Sequence, residues 1–214
     1  MQLYLKMKMV TLIRLQWISE DISFTDEQLQ PIVNWCQSNI EFSPVVTKFN
    51  KNNQWTAVSV RGYAGTIEQI GKGGVLGTLD DLNKLQNTPL YDELMMDKIL
   101  DKIPAEKERV RLMKLEAGTI IAKHTDKVDK DIKSGRIVRL HVPVITNKNV
   151  KMFSWLKGGL AEFHMAKGEC WWLDVSLPHK VENNSETDRV HLVVDIYNND
   201  TIKERYFNEL CNDR

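Results

Sequence analysis

The second half of the sequence is its most restrictive feature. There, apolar and polar residues alternate in short runs, and no helix-length amphipathic stretch separates them. Segments 109–115, 118–123, 136–145, 169–175 and 188–196 each read as a strand. Turn signals such as Asn147-Lys148-Asn149, Gly158-Gly159 and Glu182-Asn183-Asn184-Ser185 punctuate them. Parallel strands would need crossover helices, and the pattern offers none. The expected architecture is therefore an antiparallel sandwich or jelly roll.

Residues 24–103 have another texture, mostly helical with strand-like interruptions. Thr25, followed by Asp26, Glu27 and Gln28, predicts a helix start, and Leu29, Ile32, Val33 and Cys36 recur behind it at helical spacing. Segment 54–61 alternates like a strand and runs into a glycine-rich loop. Within that loop, Gly71-Lys72-Gly73-Gly74 lacks both the Ser or Thr of a phosphate loop and the GxGxxG spacing, so it reads as a flexible connection. Thr88-Pro89 opens a second helix with Leu94, Ile99 and Ile103 as its buried stripe. A length of 214 residues suits a single domain. Its expected parts are a mixed N-terminal support over 1–105, a β core over 106–200 and a tail over 201–214.

Charge narrows the partners. The 29 basic and 29 acidic side chains cancel, so no overall field collects a polyanion, and neither nucleic acid nor a membrane surface is expected as partner. Lys6, Lys8 and Arg14 interrupt the apolar N-terminus, which reads as an opening strand through Leu3, Leu5, Met7 and Met9 rather than as an export signal. A cytoplasmic address follows by default. Cys36, Cys170 and Cys211 are odd in number, and no CxxC occurs, which disfavours a disulfide framework or zinc knuckle. Cys170, inside an apolar run, reads as a small buried hydrophobe.

All five histidines fall in the β half: His124, His141, His164, His179 and His191. In His124-Thr125-Asp126 the imidazole and carboxylate are two residues apart, and so share one side of an extended segment. His179 lies in a turn after an apolar strand, at a separation that returning strands can close. Two imidazoles and one carboxylate leave adjacent metal positions open, as in non-haem iron(II) oxygenases. Structural zinc would want four closed ligands. On segment 136–145, Arg139 and His141 oppose the apolar face of Val138, Leu140, Val142 and Val144. On 188–196, Arg189, His191 and Asp195 oppose Val190, Leu192, Val194 and Ile196. Arg189 and Arg139 offer the guanidinium forks that a dianionic cosubstrate needs. Asp195 and Arg136 fit an ordinary wet face.

These residues form an ordered series. It runs Arg111-Leu-Met-Lys-Leu-Glu-Ala-Gly118, His124-Thr-Asp126, Arg139-Leu-His141, Gly168-Glu-Cys-Trp-Trp-Leu-Asp174, Pro178-His179 and Arg189-Val-His-Leu-Val-Val-Asp195. The series resembles the aspartyl/asparaginyl β-hydroxylase family of 2-oxoglutarate oxygenases, nearer its bacterial free-proline cis-hydroxylases, because the HxD carboxylate is kept. Trp55-Thr-Ala-Val-Ser-Val-Arg61-Gly-Tyr-Ala-Gly65 and Thr88-Pro89-Leu90 extend the likeness. The resemblance implies a mainly β fold, a double-stranded β-helix (cupin-like jelly roll) with supporting helices. It implies Fe(II) held by His124, Asp126 and His179, 2-oxoglutarate held by Arg189 with Arg139 and His141 nearby, O2 as co-reactant, and ascorbate in support. The implied reaction hydroxylates an unactivated carbon of a free amino acid or small derivative and releases succinate and CO2. Alternatives are an Asp or Asn residue in a peptide or protein, a metal enzyme of this fold that uses no 2-oxoglutarate, and a non-catalytic sensor. Trp55, Arg61 and His164 are candidate substrate contacts, each balanced by a packing, surface or loop-capping role. His191 reads as a supporting or packing residue.

Overall fold

The computed structural model describes residues 16–38, 41–71, 85–126, 137–156 and 158–202. The elements begin with β1 (Gln16–Ser23), α1 (Asp26–Ser38), β2 (Ser43–Pro44), β3 (Trp55–Tyr63), β4 (Leu85–Asn87), α2 (Pro89–Glu93) and α3 (Asp97–Leu100). They continue with β5 (Lys107–Leu115), β6 (Ile120–His124), β7 (Ile137–Ile145) and β8 (Val150–Leu156). Last come β9 (Gly159–Phe163), β10 (Glu169–Leu173), β11 (His179–Asn183) and β12 (Arg189–Tyr197).

An eight-stranded sheet runs β1-β10-β7-β12-β5-β3-β2, with β4 beside β3, and a four-stranded sheet runs β6-β11-β8-β9. Every pairing is antiparallel. This is the double-stranded β-helix that the resemblance implies. Period-two alternation explains how the large sheet covers two interiors at once. Val110, Leu112, Leu140, Val142, Leu192 and Val194 face one way and pack with Leu29 and Ile32 of α1 and with Leu90, Leu94 and Ile99 from the segment carrying α2 and α3. Leu115, Trp171 and Leu173 face the other way, onto Ile121, Met152 and Val181 of the small sheet. Trp171 and Trp172 are both buried, one in each interior. Full burial of a side chain such as Leu112 or Leu192 contributes about 1.5–3 kcal/mol.

The predicted start of α1 forms a capping box. Gln28 N donates to Thr25 Oγ1 (3.3 Å), and Thr25 N donates to Gln28 Oε1 (3.0 Å). Just ahead of it, Phe24 N donates to Gly168 O (2.8 Å). Gly168 has φ +82°, and a Cβ there would lie 2.2 Å from Phe24 O, so only glycine lets the helix start dock on the β9–β10 connection. Among the described residues, no helix is long and apolar enough to cross a membrane.

Six strands lie outside the sequence expectation: β1, β2 and β4 in the N-terminal half, and β8, β9 and β11 in the β half. The inward positions of β8 and β11 are partly polar, with Ser154, His179 and Asn183 all buried, and β9 has no buried position, so none of the three shows a full apolar alternation. The N-terminal half supplies strands as well as helices, since β3 lies inside the large sheet beside β5. The helix expected after Pro89 splits at Met95, whose φ of +52° reverses the chain, yet Leu94, Ile99 and Ile103 are buried. The predicted opening strand over 3–9, most of the loop after Gly71, Arg136, Cys211 and the tail from 203 lie outside the described residues. Cys170 is fully buried, and burial pushes its thiol up to about 12, consistent with an inert hydrophobe.

Candidate metal centre and adjoining cavity

His124 ends β6 and His179 begins β11, and the antiparallel register sets them directly opposite, with ring centroids 4.3 Å apart. Asp126 follows on the same side, its backbone N–H held by Val175 O at 2.9 Å. One ligand atom from each of the three residues lies within 4.8 Å of the others. His124 Nδ1 meets Ala122 O at 2.7 Å, and His179 Nδ1 meets Leu177 O at 2.9 Å. A carbonyl only accepts, so each Nδ1 carries the proton and each Nε2 presents its lone pair inward, the tautomer a metal requires. Burial, together with the adjacent His124 ring, holds His179 below the ordinary imidazole range despite the opposing pull of the Leu177 carbonyl. The donor set, two imidazoles and one carboxylate, fits ferrous iron with open positions. Among the described residues no fourth His, Cys, Asp or Glu joins the group to close it.

Arg189 opens β12 and lines the same chamber as His124, Asp126 and His179. It is buried, and its Nε and Nη1 have no hydrogen-bond partner among the described residues. Desolvation pushes the guanidinium down to about 10, the signature of a cation without its counter-charge. A buried unpaired charge costs several kcal/mol, so this fork fits the remote carboxylate of a chelating dianion.

His141 also lines the chamber, and its Nδ1 lies 3.2 Å from His191 Nδ1. Desolvation first, then Arg189, holds both rings well below the ordinary value. The unfolded chain, with His near ~6.5, therefore takes up protons that the fold refuses. This part of the stability is present above pH ~6.5 and is lost as pH falls below it. Metal-free protein is expected to melt at progressively lower temperature from pH 7.5 to 5.5; a flat profile by circular dichroism contradicts the neutral pair.

Arg139 is engaged on two sides. Its Nη1 bonds Asp126 Oδ2, while Nε and Nη2 bond Asp195 at 2.7 and 3.1 Å. Asp195 also takes Arg111 Nη2 at 2.7 Å and Arg109 Nη2 at 3.0 Å. It is fully buried, which corrects the reading of Asp195 as a wet-face residue: β12 runs between β5 and β7, whose inward arginines converge on it. The three guanidinium groups hold its carboxyl far below the usual range.

Beyond the metal residues lies a cavity of about 350 Å³ that shares Trp55, Met113, His124, Asp126 and Arg139 with the chamber. Phe49, Arg109 and Arg111 form much of its remaining wall. The Phe49 ring lies 4.8 Å and the Trp55 ring 6.2 Å from His124.

The structure thus brings together His124, Asp126, His179, Arg139, His141, Arg189 and Trp55. It does not bring Arg61 or His164 to either cavity. Arg61 lies about 20 Å along β3 from Trp55, donating to Lys107 O (3.2 Å) and Asn87 Oδ1 (3.1 Å). His164 Nδ1 lies 3.0 Å from Val150 O. Sequence reasoning missed Phe49, Arg109, Arg111 and Asp195. The available signal was Arg109-Val-Arg111 alternating on one strand with a lone acid in the apolar run of another.

The fold is a double-stranded β-helix, and the donors it brings together are two imidazoles and one carboxylate. Solved structures of the same fold include HygX from Streptomyces hygroscopicus with nickel and 2-oxoglutarate bound (TM-score 0.54, 9% identity, covering 92% of this chain and 85% of that one). Another is a 2OG-Fe(II) oxygenase family oxidoreductase from Burkholderia pseudomallei (TM-score 0.52, 12% identity, 91% and 90% covered). The chain belongs to the aspartyl/asparaginyl β-hydroxylase family, whose model matches residues 37–199. It is also 33% identical over 85 residues to the L-proline cis-4-hydroxylase of Rhizobium meliloti (strain 1021), a stretch spanning 40% of this chain and 28% of that enzyme.

Proposed function

We propose that the protein is an Fe(II)- and 2-oxoglutarate-dependent hydroxylase of a free amino acid or small carboxylate-bearing derivative. The observation that carries this reading is the pairing of the His124, Asp126 and His179 donors with the buried guanidinium of Arg189, whose Nε and Nη1 have no partner among the described residues, in one chamber. When bound, iron(II), 2-oxoglutarate and O2 supply an oxidative decarboxylation to succinate and CO2 and the hydroxylation of an unactivated C–H. The chain's own residues bind, orient and exclude water. His124 and His179 present Nε2, Asp126 presents an oxygen, and Arg189 anchors the remote carboxylate, with His141 beside it as a neutral hydrogen-bonding group.

In this reading the larger cavity holds the substrate. Arg111 suits a substrate carboxylate, since its Nε is buried without a partner among the described residues and desolvation, followed by neighbouring Arg109, pushes the group down to about 9. Phe49 and Trp55 form apolar walls beside His124 for the aliphatic body, which places its C–H bonds near the metal. The partial match to an L-proline hydroxylase supports a small cyclic or aliphatic amino acid. A peptide-linked Asp or Asn is the second reading. It is favoured by an adjoining groove of about 330 Å³ that shares Phe49 and Trp55 and has Asn52 and Gln54 along its wall.

The test is a panel of free amino acids, their N-acetyl forms and Asp- or Asn-containing peptides, read as substrate-stimulated succinate release with a product heavier by one oxygen. A free amino acid as best substrate supports the proposal. A peptide as best substrate selects the second reading, and ligand-induced stabilisation without turnover would indicate a sensor.

A further inference from the structure

The geometry points to Asp195 as a positioning residue that acts through Arg139 to hold Asp126 as a one-oxygen metal ligand. This inference rests on the reading of His124, Asp126 and His179 as the metal centre.

Asp195 stands directly opposite Arg139 in the β12–β7 register, so backbone pairing delivers the carboxylate to the guanidinium. Its two oxygens take Arg139 Nε (2.7 Å) and Nη2 (3.1 Å), the fork–fork arrangement that fixes the plane of a guanidinium. With that plane fixed, Nη1 is aimed at Asp126 Oδ2. The other oxygen, Oδ1, faces His124 Nε2 at 3.5 Å, on the side where the three ligand atoms converge. Arg139 thus occupies one oxygen of Asp126 and leaves the other for the metal, and Asp195 determines that Arg139 stays there. Arg111 and Arg109 pin Asp195 from the opposite strand, so it cannot rotate to follow Arg139. Three of the five N–H groups of Arg139 are committed in this way. Its principal work is on the iron ligand, which differs from the sequence expectation of a cosubstrate contact.

The test uses the full-length protein loaded with Co(II), whose visible spectrum reports coordination number and whose affinity is measured by titration. Asp195→Asn and Arg139→Lys are each expected to weaken Co(II) binding about 10- to 100-fold and to shift the spectrum in the same direction, as Asp126 Oδ2 is released. The double variant is expected to bind no more weakly than Arg139→Lys alone, because the two residues act in series. Arg111→Lys removes one of the two pins on Asp195 while Arg109 keeps the other, and is expected to shift the spectrum in the same direction but to weaken Co(II) binding less than Asp195→Asn. Should Asp195→Asn fail to fold, Arg139→Lys, with the graded shift of Arg111→Lys, still decides the question. A folded Asp195→Asn or Arg139→Lys protein with wild-type affinity and spectrum, or additive losses in the double variant, would overturn the inference. Failure of the wild type to bind Co(II) would instead overturn the metal-centre reading beneath it.

Discussion

His179→Ala is expected to abolish turnover and to weaken divalent-metal binding by more than ~100-fold, the upper end of what outer contacts alone cost a metal site. His179 is not a peripheral donor. It is buried, it faces His124 across paired strands, and Leu177 O fixes its tautomer. Alanine leaves one imidazole and one carboxylate, and no other His, Cys, Asp or Glu among the described residues stands ready to replace the lost ligand. His124→Ala is expected to behave alike, since the two rings are equivalent in geometry. Isothermal titration with Fe(II) or Co(II), alongside succinate release, checks both. Full turnover in the double variant would remove the basis of the site assignment.

The second large effect concerns Arg189. A charge-assisted hydrogen bond contributes about 1.5–3 kcal/mol, and Arg189 has buried N–H groups without a partner among the described residues to offer a carboxylate. Arg189→Ala should therefore raise the KM for 2-oxoglutarate by about 10- to 100-fold, with a smaller change in kcat at saturation. Arg189→Lys keeps the charge but not the fork, and should fall between. The metal- and cosubstrate-free protein should move the other way. Arg189→Met removes a buried, uncompensated cation, so its melting temperature is expected to rise. Steady-state kinetics and calorimetry on the same variants read the two signs independently.

The part of this molecule legible in sequence is the part where one physical rule acts alone. On β12, Val190, Leu192, Val194 and Ile196 alternate without interruption, and the strand and its apolar face were readable to within a residue. On β11 the inward positions are His179, Val181 and Asn183. Function and turn bonding displaced the apolar residues there, and the strand signal disappeared with them, although its histidine remained visible as a candidate ligand. Asp195 shows the opposite failure. Alternation places it on the face of β12 that carries Arg189 and His191, but an acid on that face fits a wet surface equally well. Only the sheet order reveals that Arg109 and Arg111 on one neighbour, and Arg139 on the other, converge on it. Phe49 could not be found by periodicity, because the 45–54 segment between β2 and β3 that brings it to His124 has none.

The most direct test of the account is made without any substrate. Metal-free protein is mixed anaerobically with Fe(II) and then with 2-oxoglutarate, while the visible metal-to-ligand charge-transfer absorption is followed. The account predicts a band that appears only when both are present, saturates at one equivalent of each, is lost in His179→Ala and needs far more 2-oxoglutarate in Arg189→Ala. A folded wild-type protein that shows no such band would contradict it.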